Sequence, residues 1–256
     1  MNNSTKTITL DIETAPRVGL FFGSTYQPNI AKVIAESYVF GFSWKPLGKR
    51  VQSCYIWDFP LYKKDPTNDI EVIKKWIEVA SDSDIVIGHN SRSFDDKVML
   101  GRAIFHNLPA PEPFATVDTK SDLKRVARND SNKLDDLGYN YGYGRKHDTG
   151  GIELWWACMN GDKKAQKKMV KYCERDVKLT EKLYLRIRPY IKHPPLNVLE
   201  GRPDACPKCL SKKVNAGMKY RATNSNLYQY FRCMDCGASL KRRIAEVNVK
   251  PEYVNG

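Results

Sequence analysis

Two carboxylates lie close together near the start of the chain. Asp11 and Glu13 are two residues apart in a segment, residues 7–13, in which polar and apolar residues alternate. Alternation is typical of a β-strand, where residues i and i+2 project from the same face. Two ionised carboxylates on one face repel each other, and a divalent cation between them would reverse that penalty. The pair could therefore hold a metal ion, although two charges on a solvent-facing strand give the same pattern.

Three further residues could belong to the same site. Asp95 follows the apolar run Ile85-Val86-Ile87, which predicts a short buried strand, and α/β sheets bind ligands where such strands end. A helix N-cap is the simpler interpretation of Asp95. Tyr172 and Asp176 are four residues apart in a helical pattern and therefore share a face. A tyrosine beside an apolar stripe and a surface aspartate would give the same spacing.

The segments that carry these residues predict an α/β fold with a mixed sheet flanked by helices. The patterns favour strands at residues 7–13, 38–44, 51–57 and 85–87, and helices at residues 68–80, 96–105, 121–127 and 163–188. Proline and glycine cluster between residues 189 and 203, where the last helical pattern ends. We therefore expect a first domain over residues 1–192, a linker at about 193–202 and a second domain over residues 203–256.

The second domain contains four of the seven cysteines, in two Cys-x-x-Cys pairs. They are Cys206, Cys209, Cys233 and Cys236. Four thiolates at this spacing are typical of a structural Zn²⁺ site in a zinc ribbon, and a redox-active pair is the alternative. The spacing is slightly long, and a loop at residues 222–226 would account for it. So small a domain has too little apolar core to fold without the ion. The local clustering argues against a secreted disulfide framework and favours the reducing cytoplasm.

The charge of the chain favours a polyanionic partner. The formal net charge is +13, and residues 194–256 carry +6 of it. Nucleic acid fits this charge better than a membrane, because the sequence has no run of about 18 apolar residues and no long basic amphipathic helix with an apolar face rich in Trp, Phe and Leu. The first ten residues also lack the pattern of a secretory signal.

Two basic segments are candidate nucleic-acid surfaces. The last long helix carries Lys163, Lys164, Lys167, Lys168, Lys171, Arg175 and Lys178. The second domain interleaves aromatic residues with cations: Lys219, Tyr220, Arg221, Tyr228, Tyr230, Phe231, Arg232, Lys241, Arg242 and Arg243. Such residues suit phosphate contacts and base stacking. A solvated helix face and a hairpin that covers the zinc site are the alternative interpretations.

The acidic motifs together resemble the DEDD superfamily of 3′→5′ exonucleases, which has the ribonuclease-H-like (DnaQ-like) fold. The matching motifs are Asp11-Ile12-Glu13-Thr14, Asn90-Ser91-Arg92-Ser93-Phe94-Asp95 and Tyr172-Cys173-Glu174-Arg175-Asp176. The third motif has a tyrosine four residues before its last aspartate and in this respect resembles the DEDDy branch of the superfamily. That branch includes the proofreading domains of family-B DNA polymerases. Residues 132–138 also resemble a short helix of those exonucleases. The resemblance covers about residues 7–190.

This resemblance implies a stand-alone exonuclease that uses two Mg²⁺ or Mn²⁺ ions. It implies Asp11, Glu13, Asp95 and Asp176 as metal ligands, Asp11 bridging both ions and Asp95 acting largely through waters. Tyr172 would orient the attacking water, and the implied substrate contacts are Thr14, Asn90 and Phe94. Single-stranded DNA with a free 3′ end is the expected substrate, in replication, repair or degradation. An exoribonuclease and a non-catalytic nucleic-acid adaptor are the alternatives. Similar free-standing proteins occur in phages and bacteria, so the expected location is the cytoplasm, the host's if phage-encoded.

Three other residues have side chains that could act in catalysis, but the resemblance requires no catalytic role for them. Asp118 is interpreted as structural, at the start of the helix near Ser121. A tyrosine-type site needs no general base, so His89 and His147 are expected to have packing or loop roles.

Overall fold

The computed structural model describes residues 4–22, 30–144, 150–223 and 226–244. These fall into two compact units. The larger unit comprises Lys6–Lys124 and Arg128–Tyr184, and the smaller unit contains the described residues from Leu185 onward. The units therefore divide within the last long helix, whereas the sequence predicts a linker at about residues 193–202. His147 and part of the predicted loop at residues 222–226 lie outside the described residues.

The described residues of the larger unit form seven strands and six α-helices. The strands are β1 (Thr7–Thr14), β2 (Val18–Leu20), β3 (Lys32–Ala35), β4 (Val39–Pro46), β5 (Gln52–Tyr55), β6 (Ile85–Gly88) and β7 (Ala115–Asp118). The helices are α1 (Ile70–Ser81), α2 (Asp95–Phe105), α3 (Thr119–Lys124), α4 (Leu134–Asn140), α5 (Ile152–Met159) and α6 (Lys163–Ile187), whose last turn lies in the smaller unit.

Five of these strands build one mixed sheet in the order β5-β4-β1-β6-β7. The β1 strand pairs antiparallel with β4 and parallel with β6, and β6 is parallel to β7. All four residues of β6 are buried, as expected for a strand covered on both faces. The predicted mixed α/β fold is confirmed.

Apolar stripes attach helices to this sheet. On α1 the buried residues Val72, Ile73, Trp76 and Ala80 recur at helical spacing. On α6 the residues Met169, Cys173, Val177 and Thr180 form one buried stripe. The strands and helices predicted from the sequence all occur, although several bounds shift by a few residues. The β2–β3 hairpin, β7 and α5 are additional elements that the sequence patterns did not reveal.

The smaller unit contains a short helix, α7 (Leu196–Leu199), and a separate antiparallel sheet. The sheet has the order β10-β9-β8, formed by β8 (Val214–Ala222), β9 (Leu227–Cys233) and β10 (Ser239–Arg243). The four clustered cysteines adjoin it, with Cys206, Cys233 and Ala238 buried at the centre of a small apolar cluster. This unit therefore combines a three-stranded antiparallel sheet with a cluster of four cysteines.

In the part of the chain that the structure describes, no helix has the length and apolar character needed to cross a membrane.

Candidate active site and metal centre

The middle strand β1 presents the first acidic pair at the centre of the sheet. Asp11 pairs with Ser43 of β4, and Glu13 pairs with Gly41. The parallel ladder with β6 extends only from Thr7 to Thr9. Beyond it the other edge of β1 is open to groups that follow the end of β6. The two carboxylates therefore lie where α/β sheets commonly bind ligands.

Asp95, the first residue of α2, approaches β1 at this open edge. Its carboxylate accepts a hydrogen bond from the amide of Ile12, between the two acidic residues, with N···Oδ1 3.3 Å. The Asp95 side chain is buried, and burial raises its pKa to about 7, with smaller contributions from the negative charges of Asp96 and Asp118. A nearby cation would favour the ionised form of this carboxyl group.

A tight turn between β6 and α2 makes this approach possible. A Cβ atom at Gly88 would lie 2.4 Å from the Cβ of Ser91, so the turn requires glycine there. Asn90 has a φ of 72°, a left-handed conformation that asparagine tolerates well. The main-chain amide of Asn90 donates a hydrogen bond to Asp118 Oδ1 at 2.9 Å. Arg92 fastens the turn to β7 and α3, because its guanidinium donates to the carbonyl of Thr116 and to the Asp122 carboxylate.

Helix α6 brings the third motif to the same strand. The Cys173 thiol lies 3.5 Å from Asp11 Oδ2 and 3.4 Å from the Asp11 carbonyl oxygen. The possible ligand atoms of Asp11, Glu13 and Cys173 all lie within 4.8 Å of one another. Asp176, three residues after Cys173, is also buried on α6. Among the described residues, Asp95 and Asp176 are not within this tight group of three.

Cys173 lies beside the acidic pair, although its position in the third motif predicted no role for it. Its thiol is fully buried, and burial together with the charges of Asp11 and Glu13 raises its pKa well above the usual value. The sulfur therefore stays protonated and donates to Asp11. Only the spacing relative to Tyr172 and Asp176 could have indicated its place beside the acidic pair.

Tyr172 is half-buried and contacts a second residue that the sequence analysis missed. The ring of Trp155, on α5, meets the Tyr172 ring edge to face, with centroids 6.1 Å apart and an interplanar angle of 75°. Such pairs restrict the orientation of both rings. The hydroxyl of Tyr172 is therefore carried by a ring that a neighbouring helix holds in place.

The predicted substrate contacts lie at the ends of β1 and β6. Thr14 is the last residue of β1, at an irregularity in its pairing with β4. Asn90 is half-buried in the turn after β6, and Phe94 precedes α2 with 45% of its surface exposed. The exposed Phe94 ring is adjacent in sequence to Asp95 and is free to meet a flat group such as a base.

Comparisons with known proteins agree with this architecture. The RNase H superfamily matches residues 37–188, more than half of the 256-residue chain. The chain belongs to the RNase H superfamily. The matched range contains Asp95, Tyr172 and Asp176, and β1 with its acidic pair lies before it.

The fold of this RNase H superfamily protein is also similar to a solved polymerase structure. The family B DNA polymerase from the hyperthermophilic archaeon Pyrobaculum calidifontis matches with a TM-score of 0.53 and 18% sequence identity. The similarity covers 72% of this chain and 25% of the polymerase chain, so the chain spans about a quarter of the polymerase's length. At this identity the likeness shows a shared fold. No curated protein matches the chain by sequence.

Two polar residues near the site have structural contacts. His89 lies between α3 and the loop before α4, with Nδ1 2.8 Å from Thr119 Oγ1 and Nε2 3.0 Å from the carbonyl oxygen of Asn132. Asp118 Oδ1 accepts the amides of Lys120 and Ser121 and so caps α3. These contacts agree with the packing role predicted for His89 and the structural role predicted for Asp118.

The basic residues predicted on α6 form an exposed face. Lys163, Lys164, Lys167, Lys168, Lys171 and Lys178 are exposed, and Arg175 is half-buried. Lys178 forms an ion pair with Glu174 at 3.6 Å. This positive face lies on the same helix as Tyr172 and Asp176.

The four cysteines of the smaller unit lie in two loops with the same local structure. The amide of Leu210 donates to the Cys206 carbonyl, and the amide of Gly237 donates to the Cys233 carbonyl, at 2.8 and 2.9 Å. Leu210 and Gly237 both have positive φ, at 63° and 77°. Each Cys-x-x-Cys pair is therefore held in a tight turn of the kind that converges two sulfur atoms on one point.

The sulfur atoms have the spacing of a tetrahedral metal site. Their Sγ atoms all lie within 4.8 Å of one another, with Cys206–Cys236 at 3.8 Å and Cys209–Cys233 at 3.5 Å. A tetrahedron of thiolates about 2.3 Å from Zn²⁺ has edges of about 3.8 Å. The Lys208 amide also points to the Cys206 sulfur, at 3.5 Å. These four cysteines can therefore hold a metal ion.

The protonation of these thiols depends on their local hydrogen bonds. Burial raises the pKa of Cys206 and Cys209. Burial also opposes ionisation of Cys233, but hydrogen bonds from the main-chain amides of Cys236 and Asp235 and from the neighbouring Cys209 and Cys236 side chains together lower its pKa to about 7. A bound cation would have to displace protons from the Cys206 and Cys209 thiols, so metal binding here is expected to strengthen as pH rises.

Proposed function

We propose that this protein is a metal-dependent 3′→5′ exonuclease of the DEDDy type. One observation carries the proposal: the Asp95 carboxylate binds the main chain of β1 between Asp11 and Glu13, while α6 packs against Asp11 through Cys173. The three motifs thus converge on one strand from separate parts of the chain. Membership of the RNase H superfamily supports a nuclease. The presence of all four acidic residues and Tyr172 argues against a non-catalytic adaptor.

The residues present fit a pair of hard divalent cations. Oxygen-rich carboxylate sites suit Mg²⁺ and Mn²⁺, and we propose Asp11, Glu13, Asp95 and Asp176 as their ligands. Two such ions would lower the pKa of the attacking water and stabilise the leaving oxygen. The hydrogen bond from the Ile12 amide places the Asp95 carboxylate next to the strand that carries Asp11 and Glu13, which supports this assignment.

Around those ligands, other residues of the chain position the reacting groups. The Cys173 thiol holds Asp11 in one orientation. Tyr172, with its ring fixed against Trp155, is suited to orient the attacking water. A tyrosine hydroxyl with a pKa of about 10 is a weak base at neutral pH, so we assign it positioning rather than proton removal. Asn90 and Phe94 would contact the terminal nucleotides.

We further propose Zn²⁺ at the four cysteines of the smaller unit, as a structural ion in a ribbon domain over residues 203–256. Four sulfur ligands leave no open coordination position, which favours a structural rather than a catalytic metal. Thiolate sites of this kind persist in reducing compartments such as the cytoplasm.

Single-stranded DNA with a free 3′ end is the substrate that we favour. The polymerase with the similar fold is a DNA polymerase, which supports DNA over RNA. The test is to incubate zinc-loaded protein with 5′-labelled single-stranded DNA, duplex DNA or RNA, with Mg²⁺, Mn²⁺ or no added divalent ion. Omission of the ion is preferable to EDTA, which would also remove zinc from the cysteines.

We expect progressive shortening of the 5′-labelled single strand from its 3′ end, dependent on Mg²⁺ or Mn²⁺. If RNA is degraded faster than DNA, the protein is an exoribonuclease rather than a DNA exonuclease. If no substrate is cleaved with either metal, the proposed nuclease activity is contradicted and a non-catalytic nucleic-acid adaptor is favoured.

Replacement of Tyr172 by phenylalanine separates positioning from metal binding. Tyr172→Phe should slow cleavage by about 10²-fold or more, typical of losing a group that positions the reactants, because the water loses its orienting hydroxyl. Mn²⁺ affinity should change little, since the carboxylates and the Trp155 contact remain. Tyr190→Phe, at a tyrosine that is 73% exposed, is the matched control and should keep normal activity. Loss of Mn²⁺ binding in Tyr172→Phe would show that its role is misassigned.

Replacement of Cys173 tests whether its thiol positions Asp11. Cys173→Ala should lower Mn²⁺ affinity by about 10- to 100-fold, the usual cost of losing a partner that orients a metal ligand. Cys173→Ser keeps a donor at the same place and should restore most of that affinity. The control is Cys54→Ala, which empties an equally small volume at a buried cysteine of β5. If the alanine and serine variants bind Mn²⁺ equally well, the thiol is only part of the packing.

A further inference from the structure

The strand register of the ribbon sorts its cations and aromatic residues onto two faces. In an antiparallel sheet, directly paired residues share a face, and faces alternate along each strand. Arg221 pairs with Tyr228, which pairs on its other side with Arg243. Tyr230 pairs with Lys241, and Arg232 with Ser239. One face, here named the ribbon face, therefore contains Arg221, Tyr228, Tyr230, Arg232, Lys241 and Arg243.

Side-chain contacts agree with this assignment. The Lys241 ammonium lies 4.5 Å from the centre of the Tyr228 ring, and the Arg221 guanidinium lies 5.8 Å from that of Tyr230. Both are diagonal contacts between neighbouring strands, possible only for residues on the same face. Cations held beside aromatic rings are stabilised in place. The ribbon face is therefore an ordered arrangement of positive charge and aromatic surface.

The opposite face of the sheet packs against the four cysteines. Cys233 and Leu240 lie there and belong to the apolar cluster of the four cysteines. Arg242 also lies on that side, where its guanidinium lies 5.1 Å from the centre of the Phe231 ring and donates to Gln229. The sheet therefore uses one face to cover the metal centre. The aromatic residues of the ribbon face are not needed for that purpose.

The charge of the ribbon face is of one sign. No aspartate or glutamate occurs in the three strands β8, β9 and β10. The four cations of the face, Arg221, Arg232, Lys241 and Arg243, are all exposed, and the two tyrosines are half-buried. Four cations around two aromatic rings on one face of the sheet complement a polyanion that also offers flat apolar groups.

We propose that the ribbon face binds a single-stranded segment of nucleic acid, with phosphates on its cations and bases against Tyr228 and Tyr230. Unpaired bases present the ring faces that stacking needs, whereas a duplex conceals them. This inference rests on the proposed function only for the identity of the polyanion. It adds a second contact surface to the enzyme, separate in sequence from the carboxylates.

Two variants on one strand test the proposal with matched chemistry. Lys241→Ala/Arg243→Ala removes two cations from the ribbon face, and Arg242→Ala removes one from the opposite face between them. All three side chains are exposed, so neither variant should disturb the fold. Binding of a labelled single-stranded 30-mer is measured by fluorescence anisotropy at several salt concentrations. The proteins are zinc-loaded and carry Asp11→Ala, without added Mg²⁺ or Mn²⁺, so that no substrate is degraded.

Loss of two phosphate contacts should weaken binding by roughly 10- to 30-fold at 0.1 M salt, since each contributes about 0.7 to the salt slope on a single strand. The slope should fall by about 1.4. Arg242→Ala should weaken binding by less than about twofold. Tyr230→Ala should weaken it by about 5- to 100-fold if a base stacks there, with zinc content as the check on folding.

Three outcomes would overturn the proposal. Equal losses per removed charge in the two variants would mean that only net charge matters. Tighter binding of duplex than of single strand would exclude stacking on the tyrosines. Unchanged affinity and slope in Lys241→Ala/Arg243→Ala would favour an acidic protein as the partner. Binding is measured in the Asp11→Ala protein and does not depend on cleavage. If the natural protein has no nuclease activity, the proposed function is therefore contradicted, but the proposal that the ribbon face binds nucleic acid is not.

Discussion

Asp11→Ala should abolish nuclease activity while the protein remains folded. We expect cleavage to fall by at least about 10³-fold, well beyond the 10- to 100-fold cost of losing a residue that merely orients a ligand. The reason is that the three motifs converge on Asp11. Asp11 lies on β1 with Glu13, and its carboxylate accepts a hydrogen bond from the Cys173 thiol. Cleavage of 5′-labelled single-stranded DNA with Mg²⁺ measures the effect.

The same variant should be as stable as the natural protein or slightly more stable. Removal of Asp11 relieves its repulsion with Glu13 in the absence of a cation. The Cys173 thiol keeps a partner, because it also donates to the main-chain carbonyl of residue 11. The free energy of unfolding should therefore hold or rise by up to about 1 kcal/mol. Urea unfolding without divalent ions measures this, and Asp130→Ala, at an exposed aspartate, is the control for both assays.

Retained cleavage by a well-folded Asp11→Ala protein would contradict the site assignment. Loss of cleavage together with loss of folding would be uninformative for Asp11, so Asp11→Asn provides a second variant. It keeps the shape of the side chain and an acceptor for Cys173 while removing the negative charge. Activity in Asp11→Asn close to that of the natural protein would show that charge at this position is not needed.

Sequence was sufficient for the fold class and for the order of the acidic motifs. Periodicity alone reveals the buried run in β6 and the helical stripe of α6. The alternation of residue types also predicted the strand β1, although Thr9 and Glu13 on its polar face are buried as well. The missed elements lack that signal. The β7 strand is only four residues long, two of them polar, and α5 begins just after Gly150 and Gly151. Short elements gain their stability from packing, which local sequence does not encode.

The contacts of Cys173 and Trp155 were not predictable for a related reason. A cysteine in an apolar stripe and a tryptophan on a short helix each fit ordinary core packing. Their importance arises from distant neighbours, Asp11 and Tyr172, which only tertiary structure brings near. The two faces of the ribbon likewise depend on pairing register, and a shift of one residue would exchange them. The cations and tyrosines were identified from the sequence, but their placement together on one face was not.

Cys206→Ser/Cys209→Ser should remove the metal and unfold the ribbon. Structural zinc in small domains contributes about 10–16 kcal/mol of apparent binding free energy, which is also folding free energy. The apolar cluster around Cys206, Cys233 and Ala238 is too small to replace it. We expect zinc content to fall from about one ion per chain to none, with loss of hydrogen-exchange protection in β8, β9 and β10.

Protection in β1 and β6 should persist in that double variant, because their core is built from other residues and does not include the cysteine cluster. Cys54→Ser/Cys158→Ser is the matched control, since it changes two buried cysteines that lie outside any group of four and should leave the zinc content at one. If β9 stays protected after zinc is lost, packing rather than the ion holds the ribbon. If protection is lost as expected, single-stranded DNA binding should fall at least as far as in Lys241→Ala/Arg243→Ala, because an unfolded ribbon cannot present Tyr228 and Tyr230 on one face.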